Sequence, residues 1–292
     1  MKLAIFGKEY NEEKKNIIED FFHYINDHKE IQYMIYAPFL SKIENKIANI
    51  SQANTFTTSE ELEGVDFLCS LGGDGTILES LLLIKSRKIP ILGINTGRLG
   101  FLASIASNDT ITSIENILNG DYYLDERTLV RLVTKDHIFG DTNFALNEVT
   151  IHKKETSSMI IVHAYINDEY LTSYWADGLI VSTPTGSTGY SLSCNGPIVM
   201  PNSGVFIITP IAPHNLNMRP LIIPDSKKIR LVLEGRGNEF MVSLDSRNAT
   251  VDEKTELIIE KESFRAQILR IKGQSFASTV RNKLYWGHDN RN

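Results

Sequence analysis

The stretch Leu71-Gly72-Gly73-Asp74-Gly75-Thr76 constrains this chain more than any other, because of what stands on either side of it. Before it runs Val65-Asp66-Phe67-Leu68-Cys69-Ser70, an apolar run that reads as a buried strand. After it, apolar residues recur at 77, 78, 81, 82 and 84, which is the spacing of a helix. Three glycines at a strand-to-helix turn clear side chains from backbone amides and from the positive helix end, where a phosphate can approach. Asp74 is out of place in a loop that only cradles anions. A carboxylate beside phosphates serves as a metal anchor, or as a base toward an attacking hydroxyl. A tight turn, in which Gly and Asp supply unusual backbone angles, accounts for the same string. The loop fits neither the P-loop pattern nor the usual glycine fingerprint of dinucleotide folds, so other segments must decide.

The strand–helix alternation extends over the first 120 or so residues. Strands are predicted at 2–6, 31–36, 65–70 and 89–94, and helices at 11–27, 41–49, 76–86 and 109–119. Such alternation implies a parallel, Rossmann-like sheet in an α/β domain over 1–122. The glycine loop then lies at the carboxyl end of a strand, where open α/β sheets bind ligands. From Asp121-Tyr122-Tyr123-Leu124-Asp125 onward the helical spacing fades and short β-rich runs recur: 128–134, 145–152, 160–166, 179–182, 205–209, 229–233, 241–244 and 256–260. Turn signals such as Asn167-Asp168 and Asp177-Gly178 separate them. This predicts a mostly antiparallel, all-β domain over 123–271. Apolar residues at 276, 277, 280 and 284 predict a closing helix in the tail 272–292, returning to the N-terminal domain.

Composition removes several classes of partner. A net charge of −6 argues against a broad nucleic-acid or anionic-membrane surface. The two cysteines, Cys69 and Cys194, form no C-x-x-C pattern, which argues against a disulfide framework or a zinc site. No apolar run reaches the ~18 residues of a membrane span. The opening Met1-Lys2-Leu3-Ala4-Ile5-Phe6-Gly7 reads as a first strand rather than a leader. The expectation is a cytoplasmic protein with neither nucleic-acid nor membrane partner.

Three further segments point to chemistry. Gly93-Ile94-Asn95-Thr96-Gly97-Arg98-Leu99-Gly100-Phe101-Leu102 reads as a strand end with backbone near a ligand, or as an ordinary turn. The adjacent Asn147 and Glu148, opening an apolar strand, offer donors and acceptors for ribose hydroxyls, or form a solvated strand end. The block from Asp177 through Ser193 packs seven Ser or Thr residues, three glycines and Tyr190 around Pro184. It follows a clean strand, so recognition of phosphates and amides, with a ring face for a base, is preferred to a linker. The stiff loop Pro210–Pro220 adds His214 and Arg219, either for phosphate contact or as structure.

Together these segments resemble the NAD kinase family. The resemblance lies in Gly72 through Thr76, Gly93 through Leu102, Asn147-Glu148, Asp177 through Ser193, the 207–220 loop and the tail Val280-Arg281-Asn282-Lys283-Leu284-Tyr285-Trp286. The Asp177 block is highly specific, whereas the Gly-Gly-Asp-Gly loop also occurs in phosphofructokinases and in diacylglycerol- and sphingosine-type lipid kinases. The resemblance implies transfer of the γ-phosphoryl group of ATP to the 2′-hydroxyl of NAD's adenosine ribose, giving NADP. It implies Asp74 as the proton acceptor. Gly72, Gly73, Gly75 and Thr76 form the ATP-phosphate loop, and Mg²⁺ or a similar divalent cation is held through phosphates rather than by dedicated protein ligands. Asp74, Gly75, Asn147, Glu148, Asp177, Thr185, Thr188, Gly189, Tyr190, Ser191, Leu192, Ser193 and Ala212 are the residues implied for NAD, with Tyr190 against the base. A homodimer or homotetramer is expected. Two positions depart from the family pattern: Trp175 stands where many bacterial members carry a basic residue, and Arg247 replaces a common glutamine. Two alternatives remain open at this stage, a lipid or sugar kinase sharing the glycine loop and a catalytically silent dinucleotide sensor.

Overall fold

The computed structural model describes residues 1–10, 13–97, 100–103, 105–154 and 159–285. Arg98, Leu99 and Trp286, which belong to the motifs above, and the predicted helical residues 11 and 12 lie outside the described residues. The chain divides into two compact units: residues 1–126 together with the chain from 267 onward, and residues 127–266.

The first unit runs β1 (Lys2–Gly7), α1 (Lys15–Asp27), β2 (Gln32–Tyr36), α2 (Ala37–Ile43), β3 (Asn54–Phe56), β4 (Phe67–Leu71), α3 (Asp74–Ile84), β5 (Ile91–Ile94) and α4 (Thr110–Leu118). The strands pair in parallel in the order β3-β2-β1-β4-β5. Strands covered on both faces read as continuous apolar runs, and β1 and β4 are buried along nearly their whole length. α1 buries Ile18, Phe21, Phe22 and Ile25, one face of a 3.6-residue period. The strand order reverses between β1 and β4, and the glycine loop springs from the carboxyl end of β4. That is the switch point at which open α/β sheets take ligands.

One expectation needs correction in this unit, and one strand was not predicted. The helix predicted at 41–49 is α2 at 37–43, because Pro38 sits in its first turn, where a missing N–H is not needed. The three-residue β3 is too short to show a period of its own.

Strand β6 (Tyr122–Val133) leads into the second unit. It continues with β7 (Phe144–Ala145), β8 (Glu148–Lys153), β9 (Ile160–Ile166), β10 (Glu169–Ala176), β11 (Gly178–Ser182), α5 (Tyr190–Ser193), β12 (Val205–Ile211), β13 (Leu221–Pro224), β14 (Ile229–Glu234), β15 (Glu239–Leu244), β16 (Arg247–Asp252) and β17 (Leu257–Ile271), whose residues from 267 on belong to the first unit. One antiparallel sheet has the order β13-β12-β11-β8-β15-β16, and β10-β9-β14-β17 forms a second antiparallel set. Ile151, Val181 and Phe206 from the first set and Val162, Leu231 and Leu257 from the second share one core, which makes the unit a sandwich. The helix predicted for the tail is α6 (Phe276–Leu284), capped reciprocally by Ser275 and Ser278. It belongs to the first unit, where Lys283 Nζ lies 4.8 Å from the Phe101 ring centroid. No helix among the described residues is long and apolar enough to cross a membrane.

Candidate active site

The glycine loop ends at α3, whose first residue is Asp74. None of Gly72, Gly73 and Gly75 adopts the left-handed backbone, so unusual torsion angles do not explain them. Space does. A Cβ on Gly72 would lie 2.2 Å from Thr76 Oγ1, so this glycine lets the helix start pack onto the strand end. Gly73 and Gly75 instead face open space, with no atom within 4 Å of a Cβ position. Among the described residues the amides of Gly73, Asp74 and Gly75 have no acceptor, as expected of a helix start without a side-chain cap. The loop therefore offers donors to an incoming anion on its open side.

The Asp74 carboxylate is held from the other side. Its Oδ2 accepts the Phe101 N–H at 2.8 Å, and Oδ1 accepts those of Leu102 at 3.0 Å and Ala103 at 2.9 Å. A carboxylate has about four lone-pair positions, so among the described residues one remains open, on Oδ2. Gly100 allows this closure: a Cβ there would stand 1.8 Å from Asp74 Oδ1. The 93–102 segment thus does more than turn, since its backbone fixes the one carboxylate of the glycine loop.

The second unit gathers most of its own predicted residues. Asn147 and Glu148 open β8, and Asp245 binds the amides beneath them: Leu146 N–H at 2.9 Å, Asn147 N–H at 2.9 Å and Glu148 N–H at 3.2 Å. Asp245 occupies the first place of the two-residue turn between β15 and β16 with φ 51°, a left-handed angle that Asp tolerates. The turn after β11 closes over the same strand start. Thr183 donates its hydroxyl to Leu146 O at 2.6 Å and its amide to Asn147 O at 2.8 Å. A Cβ on Gly186 would meet Asn147 O at 2.1 Å, and one on Gly189 would lie 3.2 Å from Glu148 Oε2. Thr185 is tied to this turn by the Arg127 guanidinium at 3.2 Å, and Thr188 donates to Thr185 O.

Glu148 Oε2 is buried without a partner among the described residues. Burial, and secondly the negative charge of Asp245, push its carboxyl up to about 8, so at neutral pH it holds a proton and can donate. Burial also pushes Asp245 upward, against the pull of its three amides and of Arg247.

Asp177 and Ala212 lie at the opposite end of β11 from Thr183. Asp177 accepts Lys153 Nζ at 2.6 Å, and Ala212 has φ 45°, a strained angle for a residue with a Cβ. Helix α5 spans the interval. Ser191 bonds Thr209 of β12 at 2.9 Å, and the Tyr190 ring, 39% exposed, stacks on His152 with centroids 5.7 Å apart. Burial raises the Tyr190 hydroxyl and lowers His152. Leu192 is half-buried and Ser193 exposed. Trp175, Asp177 and His214 line a cavity of about 620 Å³ with Lys153, Glu234 and Arg236. Arg247 gives its guanidinium to the carbonyls of Thr142 and Phe144, so it braces the chain ahead of Asn147. Sequence reasoning missed Asp245 and His152. An Asp-Ser pair between strands signals only a turn, and His152 acquires meaning from the tyrosine it meets.

Comparison with known proteins agrees with this layout. The family model of the ATP-NAD kinase N-terminal domain matches residues 3–122, and that of the ATP-NAD kinase C-terminal domain matches 146–271. The chain is 47% identical to the NAD kinase of Cytophaga hutchinsonii over 293 positions, covering 100% of both. Among solved structures it is similar to an NAD kinase from Archaeoglobus fulgidus in complex with ATP, at 27% identity and TM-score 0.74, covering 98% of this chain and 99% of that one. It also shares the fold of yeast NADH kinase complexed with NADH, at TM-score 0.88 and 23% identity, covering 99% of this chain and 89% of that one.

Proposed function

The chain belongs to the NAD kinase family, and on that premise we propose Asp74 as the base of its reaction. It is an NAD⁺ kinase, which passes the γ-phosphoryl group of ATP to the 2′-hydroxyl of the adenosine ribose of NAD. The bond from the γ-phosphorus to ADP breaks, a bond to O2′ forms, and the hydroxyl proton leaves for the Asp74 carboxylate. The observation that carries this reading is the three-amide clamp on Asp74, with one Oδ2 lone pair left open beside the exposed Gly73 and Gly75. A ribose hydroxyl is a poor nucleophile, and phosphoryl transfer leaves the protein little covalent work. A carboxylate fixed before substrate arrives needs no reorganisation as charge develops.

The amides of Gly73, Asp74 and Gly75 and the positive end of α3 receive phosphate oxygens, with Gly72 and Thr76 shaping the loop. Glu148, carrying its proton, donates to a ribose oxygen while Asn147 supplies both donor and acceptor. Thr185, Thr188 and Gly189 close over them, Tyr190 takes the base on its exposed ring, and Ser191, Leu192 and Ser193 with Asp177 and Ala212 complete the NAD contacts. A divalent cation such as Mg²⁺ would be held through the nucleotide's phosphates at the glycine loop and would supply neutralisation of their charge. Asp74 already accepts three amides, which fits an ion held through phosphates rather than by this carboxylate. The reading extends, on the family resemblance, to a cytoplasmic homodimer or homotetramer.

Asp74→Asn tests the assignment. With Mg-ATP and NAD coupled to an NADP-specific dehydrogenase, kcat is expected to fall roughly 10²- to 10⁴-fold while NAD affinity stays within a few-fold. Near-normal turnover by that variant removes Asp74 from its role. Parent protein that binds NAD but never turns over is a sensor instead.

A further inference from the structure

We propose that Arg270 is a positioning residue for Asp74, acting through the backbone of residues 101–103, with Asp125 behind it. Arg270 stands in the apolar run Ile268-Leu269-Arg270-Ile271 at the end of β17 and is only 6% exposed. A buried guanidinium persists where its donors are met. Nη2 donates to Phe101 O at 3.0 Å, Nη1 donates to Leu102 O at 3.3 Å, and Nε lies 3.6 Å from Asp125 Oδ2.

These two carbonyls are not arbitrary acceptors. The Phe101 carbonyl shares a peptide group with the Leu102 amide, and the Leu102 carbonyl shares one with the Ala103 amide. Those are the two amides that hold Asp74 Oδ1, at 3.0 and 2.9 Å. A trans peptide points its C=O and N–H in opposite directions. A planar fork gripping both carbonyls therefore aims both N–H groups at the carboxylate and polarises them toward it. Asp125 in turn orients the fork. Arg270 and Asp125 touch no reacting atom in this arrangement, and their effect passes through the position of Asp74.

The inference rests on Asp74 being the base, and a double-mutant cycle separates the two claims. Arg270→Lys keeps the charge but replaces the rigid planar fork with a single ammonium nitrogen on a flexible stem, and Asp125→Asn removes the charge that faces Nε with little change of shape. Per NAD-binding site counted by calorimetric titration, kcat is expected to fall about 10- to 100-fold in Arg270→Lys and several-fold in Asp125→Asn. KM for NAD and ATP should stay within about twofold. Added to Asp74→Asn, neither change should cost further kcat, because the route they act through is already lost. A purely structural role predicts the opposite pattern: fewer NAD-binding sites, an unchanged kcat per site, and losses that persist in the Asp74→Asn background. That pattern, or normal kcat in both single variants, overturns the inference. If the Arg270 and Asp125 variants are normal but Asp74→Asn is inactive, only the positioning role fails. If Asp74→Asn itself is active, the base assignment fails first.

Discussion

Two aspartates in this chain use the same device, and their surroundings give it different uses. Asp74 and Asp245 each accept three consecutive backbone amides, 101–103 and 146–148. Asp74 does so beside Gly73 and Gly75, whose Cβ positions meet no atom within 4 Å and whose amides have no acceptor among the described residues, so a substrate can approach there. Asp245 does so beside Glu148, and the outcome is a proton kept on the glutamate. Glu148 moves from an ordinary value of 4.5 up to about 8, through burial first and the Asp245 charge second. The folded state then binds this proton more tightly than the unfolded chain across that interval. Stability is therefore highest below about pH 4.5 as far as this group is concerned, and is lost as the pH rises toward 8. Glu148→Gln keeps the shape and removes the titration. Its unfolding free energy, measured in urea between pH 4.5 and 8.5, should gain on the parent with rising pH by something on the order of a few kcal/mol. Parallel curves for the two proteins would assign the pH slope to another group. The same substitution leaves an amide that still donates to a ribose oxygen, so NAD affinity should change far less than stability does.

At the level of elements, the closure of the 100–103 segment onto the start of α3 makes a site from a turn. Gly100→Ala tests it most directly, since the added carbon would stand 1.8 Å from Asp74 Oδ1 and one of them has to move. Expected is a loss of kcat of about 100-fold or more, with little change in KM. Gly73→Ala supplies the contrast, because its Cβ meets nothing within 4 Å of protein. That variant should keep its thermal stability and lose ATP affinity; equal effects of the two changes would contradict the division of labour between loop and clamp. These contacts also mark how far sequence could reach. β1, β2, β4, β5 and the helices beginning near 15, 74 and 110 were legible because burial on both strand faces, or on one helix face, leaves a pattern in neighbouring residues. β10, β13 and β16 were not: their half-exposed residues, as in Glu169-Tyr170-Leu171-Thr172-Ser173, carry no apolar alternation. Asp74 was recognisable as an odd charge among glycines. Its clamp was not, since the amides come from 27 to 29 positions away and amides have no sequence signature. The Asn147-Glu148 pair was visible, but Asp245 beneath it read only as a turn former.

At the scale of the whole molecule, a chain of net charge −6 has to bind two phosphate-bearing nucleotides, one of them a polyanion, so attraction at long range does not help and recognition falls to local donors. Such donors need rigid supports, and each unit supplies its own. The first unit's core is built around Leu3, Ile5, Phe21, Phe22, Leu71, Ile94 and Leu269; the second's around Ile151, Val162, Val181, Phe206, Leu231 and Leu257. No residue belongs to both cores. Phe21→Leu and Phe206→Leu remove part of a fully buried ring from one core apiece, each at a cost of about 1–2 kcal/mol. In differential scanning calorimetry the parent should show a calorimetric enthalpy larger than the van't Hoff value, as unfolding in more than one unit requires. Phe206→Leu should lower one component by a few degrees and leave the other in place, and Phe21→Leu should do the reverse. The double variant should then show both shifts, adding to within about 0.5 kcal/mol. A single transition that moves as a whole under either substitution would mean that the two cores melt as one. The stability of the Asp74 clamp would then depend on the packing of the second core as well as the first.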